Sequence, residues 1–404
     1  MAIRKFIAKE NRVVLLFVPP FGDGMEILVI KVTLTNEILK YITEIEKNRY
    51  IVSKAPLSHA VASKLRKNSK KKSSYASNKI EGNPLTEKQV DEVIDNDERK
   101  HYLRPEQEVR NYFLALNYLE EMAAKKEKFS KKLILNVQKY VEKGASKEKI
   151  GLRGPMPPGV LFAVYDSQSG NPDYIPPEYI DIPELLDELV EYVNSTDDHP
   201  LIVAAVVHYQ LVTIHPFEDG NGRTARLLSG YILDINGYGF NGIGSLEEYF
   251  AYDIEEYYDS IQMNLPALYY SGRDNPPHPE IWINYFLRMV LLYSSKICEL
   301  SENSSEKELE GSLSYLKSKE KELLLFLIDH YRREFTPTEV SKEFNVTNKT
   351  IINRLTTLVK NGFVHPHLVN QRIRSYELTE FTRQHEKEIR ELIQYEQKPF
   401  TSTN

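Results

Sequence analysis

The sequence has almost no cysteine. Cys298 is the only one in 404 residues, which rules out a disulfide within the chain and fits a reducing compartment. It also lacks long apolar runs: none approaches the roughly twenty residues that a membrane helix needs, so no membrane partner is expected. Near the N-terminus the run Val13 to Val18 is too short for a signal-peptide core, and Glu10 and Arg12 stand close before it. The expected location is the cytoplasm, with secretion that cleaves no signal left open. Neither sign of charge dominates. A net charge of −6 gives no global argument for nucleic acid or an anionic surface. What remains is a composition typical of soluble proteins, 41% apolar and 27% charged, in a chain long enough for two or three domains.

One stretch concentrates the chemistry: His215-Pro216-Phe217-Glu218-Asp219-Gly220-Asn221-Gly222-Arg223-Thr224-Ala225-Arg226. Before it, Leu201 to Ile214 is nearly all apolar and free of Gly and Pro, the pattern of a buried helix. After it, Ala225, Leu227, Leu228, Tyr231, Ile232 and Ile235 are spaced as one helix face. The motif is therefore a loop between helices, with Gly220, Asn221 and Gly222 where the second begins. Backbone N–H groups and the positive end of the helix dipole there suit a phosphate, and glycine lets it come close. Arg223 and Arg226, three apart, can both reach an anion. Asp219 is a hard oxygen ligand suited to Mg²⁺, and His215 can exchange a proton near neutral pH. A His-Pro pair alone is a helix stop, and Gly-Asn-Gly alone is turn chemistry. Together they describe attack of a hydroxyl on a nucleotide phosphate, with His215 as base.

These twelve residues resemble the signature of the Fic family, His-x-Phe-x-(Asp/Glu)-Gly-Asn-Gly-Arg-x-x-Arg, with every fixed position filled. The resemblance implies an adenylyltransferase that moves AMP from ATP to a hydroxyl of a target protein. His215 would deprotonate that hydroxyl, Asp219 hold Mg²⁺, Gly220, Asn221, Gly222 and Arg223 bind phosphates, Arg226 hold the γ-phosphate, and Phe217 anchor the loop. Relatives of the Doc type, which resemble kinases, carry lysine where this chain has Gly222, so Gly222 favours AMP transfer.

Taken in order, the chain reads as mainly α. Residues 1–100 open with two β-branched runs, Arg12 to Val18 and Glu26 to Leu34, expected as a small hairpin, followed by a helix over Thr35 to Glu46. Residues 64–72 carry six positive charges in nine, the usual mark of a solvated face. In Ser77-Asn78-Lys79-Ile80-Glu81-Gly82-Asn83-Pro84 the helix stops, with Ser77 and Glu81 on one face. A carboxylate near a helix C-terminus opposes the dipole and calls for a cationic partner. The stretch resembles the family's inhibitory helix, spanning about residues 70–81, whose glutamate pairs with the second motif arginine. Here that implies Glu81 with Arg226.

Residues 101–300 are expected to form the helical Fic core, with helices over Thr86 to Asp97 preceding it and Gln107 to Glu127, Ser130 to Val141 and Pro183 to Asn194 within it. Pro158 to Tyr165 and Asp173 to Pro177 read as a hairpin; in the family such a flap docks the target segment, which points to Val160, Leu161, Phe162 and Ala163. His208, on the apolar helix, is read as a core histidine. A helix is expected over Glu247 to Asn264, where the family places adenine against a tyrosine pair and an asparagine, implying Tyr257, Tyr258 and Asn264. Pro279 to Cys298 closes the core. Polar Ser301 to Gly311 reads as a linker or a loose helix start. In residues 312–404, three helices (Lys319 to Tyr331, Thr336 to Phe344, Lys349 to Asn361) and a hairpin around Arg372 and Arg374 resemble a winged helix-turn-helix exposing Asn348, Lys349, Asn353 and Arg354. Six Lys/Arg against four Glu over Thr336 to Phe381 make that domain only weakly basic, so DNA, a protein or a second copy of the chain all remain as its partner.

The leading expectation is a protein adenylyltransferase using ATP and Mg²⁺, acting on a Ser, Thr or Tyr of another protein or of itself, and inhibited by Glu81. A DNA-binding regulator with an ATP-sensing site is the alternative. A third reading keeps the fold but removes AMP or transfers another phosphate-linked group.

Overall fold

The computed structural model describes residues 3–7, 13–17, 32–54, 59–96, 99, 101–145, 150–160, 162–165, 172–263, 265–266, 278–369 and 372–397. Two compact units result, Met1–Tyr50 with His59–Ile297, and Ile51–Ser58 with Cys298–Asn404.

The first unit opens with an antiparallel hairpin, β1 (Ile3–Ile7) and β2 (Val13–Phe17), pairing Ile3 with Phe17 and Ile7 with Val13. The hairpin therefore lies earlier than the composition suggested. Its second strand is the run expected as the first, and Glu26 to Leu34 falls mostly outside the described residues. Then come α1 (Asn36–Lys54) and α2 (His59–Ile80). The basic run lies on α2 and is not simply a solvated face. Lys71, 12% exposed, pairs with Asp95 at 2.6 Å and Asp91 at 3.3 Å, and Lys72 with Glu248 at 2.9 Å. Arg66 donates to the carbonyl of Asn241 at 2.7 Å. These cations dock α2 against its neighbours along its length.

Next are α3 (Glu87–Asp95), capped by Thr86 and Gln89, α4 (Arg104–Ala124), and α5 (Lys131–Glu142), capped by Ser130. A short hairpin follows, β3 (Val164–Tyr165) with β4 (Pro172–Tyr174), then α6 (Ile182–Ser195). The centre of the unit is α7 (Pro200–Ile214), where every residue from Leu201 to Leu211 is buried. A helix covered all round shows no amphipathic period, which is why it reads as a continuous apolar run. It packs on α8 (Asn221–Ile235). The helix expected over Glu247 to Asn264 is two, α9 (Glu247–Phe250) and α10 (Ile254–Gln262), because Asp253 caps the second through the N–H of Glu256.

The helix α11 (Pro279–Ser314) closes the first unit with Trp282, Phe286 and Val290, all fully buried. It runs on through Ser301 to Gly311, so the expected linker is helical. That segment is polar but has no proline, and a single glycine costs a helix only about 1 kcal/mol. In the second unit, α12 (Ser318–His330), α13 (Pro337–Glu343) and α14 (Asn348–Lys360) bury Leu323, Leu327, Val340, Ile351, Leu355 and Leu358 together. Thr336 and Glu339 form a reciprocal cap, and Thr347 caps α14. The hairpin β5 (Val364–Val369) and β6 (Arg372–Leu378) follows Gly362, whose φ of +80° ends α14. Two further helices, α15 (Glu380–Gln384) and α16 (Glu386–Gln397), have no counterpart in the expectation.

Trp282, the only tryptophan, ties α11 to α7 by donating its indole N–H to the carbonyl of Ala205 at 2.8 Å. Trp282→Phe should remove that second bond to a carbonyl already paired within α7 and leave part of the indole's space empty, lowering stability by about 1–3 kcal/mol. The check is a urea midpoint read by circular dichroism; an unchanged midpoint would contradict the bond.

Candidate functional site

The loop between α7 and α8 is built to hold one shape. His215 ends α7 in the left-handed region, φ +49°, and Pro216 cannot continue the helix. A non-glycine residue there is strained and persists only if its surroundings fix it. Three sets of contacts do so. Phe217, fully buried, donates its N–H to the Asn221 side-chain carbonyl at 3.0 Å, and the Asn221 amide returns a bond to the Phe217 carbonyl at 2.9 Å. Leu152 bridges Phe217 strand-fashion, and the Arg153 N–H donates to the Pro216 carbonyl at 2.9 Å. The buried Arg153 guanidinium donates to the His215 carbonyl at 2.8 Å and to Pro177, and lies over the Phe162 ring. Asn221 thus holds the loop with its side chain and leaves anion contact to its backbone.

Gly220, at φ +82°, starts α8, and its carbonyl accepts the first helical bond from Thr224. The N–H groups of Asn221, Gly222 and Arg223 precede that bond and point out of the helix end. Asp219, one-third exposed, accepts from the Gly220 N–H at 2.6 Å, from Arg223 at 3.1 Å and from Arg104 at 3.2 Å. Arg223 is buried and also faces Glu142 at 2.9 Å. Burial pushes the Glu142 carboxyl up to about 7 despite Arg223, with Asp219 and Glu108 adding to the effect.

His215 offers a base. Its Nδ1 lies 3.2 Å from the Val212 carbonyl, which can only accept, so the proton sits on Nδ1 and Nε2 keeps its lone pair. Burial lowers its pKa to about 4, with the positive charge of Arg153 adding to the fall, so the ring is neutral at pH 7. The Phe162 ring lies 5.9 Å from the imidazole.

The α2 terminus reaches this loop. Gly82 at φ +79° and the bonds Asn83 N–H to Asn78 and Gly82 N–H to Lys79 form a Schellman end. The Asn83 amide fixes it by donating to Pro105 and Glu108, both at 3.0 Å. Glu81 then accepts from Arg226 at 2.6 Å, while Arg226 donates also to the Ser77 hydroxyl at 2.8 Å and carbonyl at 3.0 Å. Burial pushes the Glu81 carboxyl up, but Arg226 first and Arg223 next hold it below its ordinary value. A Cβ at Gly222 would fall 2.4 Å from the Glu81 carboxylate and 3.2 Å from the Arg226 guanidinium. Glu81 therefore lies directly on the glycine of the anion loop.

The structure gathers His215, Asp219, Gly220, Asn221, Gly222, Arg223, Arg226, Ser77 and Glu81, with Phe162 beside His215. Val160 sits in a turn closed by its N–H to Pro157, and Ala163 immediately precedes β3. Leu161 and Asn264 lie outside the described residues. The tyrosine pair divides: Tyr258 is 46% exposed, whereas Tyr257 is buried at 1% with its hydroxyl toward Arg226. Arg104, Glu142 and Arg153 were not expected here. Glu142 carries the signal that marked Glu81, a carboxylate at a helix C-terminus, and Arg153 sits in a glycine-flanked loop that no periodicity marks.

Residues 128–233 match the model of the Fic/DOC family. The chain is similar to the protein adenylyltransferase Fic of Nematostella vectensis, 47% identical over 64 residues, covering 15% of each protein. It is 31% identical over 171 residues to that of Drosophila grimshawi, covering 41% of this chain and 33% of that protein. It thus spans a third or less of the length of these curated relatives. In fold it resembles a Fic family protein from Desulfovibrio desulfuricans G20, at TM-score 0.55 and 20% identity over 87% of this chain and 98% of that one. It also resembles Fic-1 from C. elegans, at TM-score 0.50 and 24% identity over 67% and 74%. The loop from His215 to Arg226 lies within that matched region, and residues 128–233 of this chain match the Fic/DOC family.

Proposed function

We propose that the chain is a protein adenylyltransferase, transferring AMP from ATP to a hydroxyl of a target protein, and that Glu81 holds it inactive. The observation that carries this reading is the Glu81 carboxylate on Arg226 and over Gly222, where a phosphate would otherwise lie. ATP meets the N–H groups opening α8, with Arg223 and Arg226 on its phosphates. A target hydroxyl gives its proton to Nε2 of His215, its oxygen attacks the α-phosphorus, and pyrophosphate leaves. Arg153 fixes the imidazole through the His215 backbone.

Asp219 fits a magnesium role. It is a single half-buried carboxylate, and Mg²⁺ commonly takes one or two carboxylates plus substrate phosphates. Among the described residues no group of three potential ligands could hold a metal unaided, so the phosphates would complete the set. Bound there, Mg²⁺ would neutralise phosphate charge. Protein targets are proposed from the names of the relatives, and the cytoplasm from the lone Cys298; no helix among the described residues is long and apolar enough to cross a membrane.

Glu81→Gly should raise incorporation of α-³²P label from ATP by roughly 5- to 150-fold, the range of a coupling free energy of 1–3 kcal/mol. His215→Ala in that background should abolish it. Equal labelling with and without His215 would overturn the reading. Release of AMP from a pre-modified target by the wild type alone would reverse the direction of the chemistry.

The depressed His215 pKa sets the acid limb. The neutral base is lost only as pH falls through its folded value, about 4. The kcat/KM of Glu81→Gly, which lacks a carboxylate that raises His215, should stay flat from pH 8 to below 6. A midpoint at 6.5 or above would show an unperturbed histidine.

For the second unit the proposal is a winged helix-turn-helix that binds DNA. Asn348, Lys349 and Asn353 are exposed on α14, and Arg372 and Arg374 on β6. Each alanine replacement at Lys349 or Arg372 should reduce the slope of log K against log salt by about one in a mobility shift. Binding with no salt dependence would remove DNA as the partner.

A further inference from the structure

Beside its contacts with α2, Arg226 belongs to a closed circuit of buried polar groups that connects three helices. The Arg226 Nη1–H donates to the Tyr257 hydroxyl at 3.3 Å. The Tyr257 oxygen is 2.8 Å from Nε2 of His208, Nδ1 of His208 is 3.3 Å from the Ser229 hydroxyl, and Ser229 donates back to the Arg226 carbonyl at 3.0 Å. Arg226, Tyr257, His208 and Ser229 are exposed by 2%, 1%, 0% and 0%.

The proton positions follow from counting donors. Tyr257 receives a proton from Arg226, so its own must go to the one remaining neighbour, Nε2 of His208. Ser229 spends its proton on the Arg226 carbonyl, so Nδ1 of His208 must donate to it. His208 is therefore neutral with its proton on Nδ1, in keeping with a pKa that burial and then Arg226 push well below the ordinary value. Phe250, Trp282 and Phe286 surround its ring at centroid distances of 5.6, 4.9 and 6.1 Å. Nothing in this circuit depends on α2.

We infer that Tyr257 and His208 are positioning residues for Arg226. They keep its guanidinium aimed at the anion loop once Glu81 has withdrawn. The inference rests on the reading that Arg226 binds an ATP phosphate. On that reading the contact from Glu81 belongs to the closed state only. Without Tyr257 the Nη1 end of the guanidinium would have no acceptor from this circuit, and its ordering would have to come from ATP itself.

The test uses the full chain carrying Glu81→Gly, with and without Tyr257→Phe, and titration calorimetry with Mg–ATP and with AMP. Loss of a hydrogen bond to a charged group should weaken ATP binding about tenfold, while AMP, which lacks the outer phosphates, stays within roughly twofold. His208→Leu should mimic Tyr257→Phe. His208→Gln, which can accept from Tyr257 and donate to Ser229, should restore ATP binding, an outcome that general loosening of the core does not give. Equal weakening of ATP and AMP would place the loss at the nucleoside end, away from Arg226, and overturn the inference, as would unchanged ATP affinity in Tyr257→Phe. If Glu81→Gly alone binds no ATP, the proposed function fails, and this inference with it.

Discussion

A guanidinium buried to 2% exposure is the constraint on which the first unit depends. An unpaired charge at that depth costs several kcal/mol, so Arg226 must be surrounded by acceptors. Two neighbouring helices supply them: α2 gives Ser77 and Glu81, and α10 gives Tyr257. Its pKa is raised accordingly despite burial, with Tyr257 and Glu81 the largest stabilising neighbours. The helices are therefore arranged about a cation as much as about an apolar core.

The two sides of that cation differ in permanence. Tyr257 and His208 lie among Trp282, Phe250 and Phe286, where opening would expose large aromatic surface. Glu81 keeps 32% of its side-chain exposure and sits past the last turn of α2, in a Schellman end held to α4 by one asparagine. Withdrawing its carboxylate breaks the bond to Arg226, while Ser77 lies on the length of α2 that its cations dock. On the proposed reading the fold separates a rigid side from a releasable one, and the boundary falls within one side chain.

The motif was legible because its chemistry is local: twelve consecutive residues fix which groups meet at the loop. Glu81 was legible because Gly82-Asn83-Pro84 stops a helix and a carboxylate there needs a cation. Arg104, Arg153 and Glu142 were not, since their partners lie 62 to 115 positions away or rest on burial that spacing does not encode. Tyr257 was placed near the nucleotide by family resemblance, whereas its hydroxyl contact with Arg226 is one that only packing decides. Likewise Ser301 to Gly311 was read by polarity as a linker, though exposed helices are polar too. The basic run of α2 shows the same limit, because charge composition does not say which lysines find carboxylates.

Gly222 has two tenants in turn on the proposed reading. The missing Cβ leaves room for the Glu81 carboxylate now, and the same room would admit a phosphate later. Brake and substrate share one vacancy, so no substitution at that position can loosen the first without evicting the second. Any change in how readily this protein turns on has to be made elsewhere: in the length of α2, in the staple at Asn83, or in whatever pulls on them.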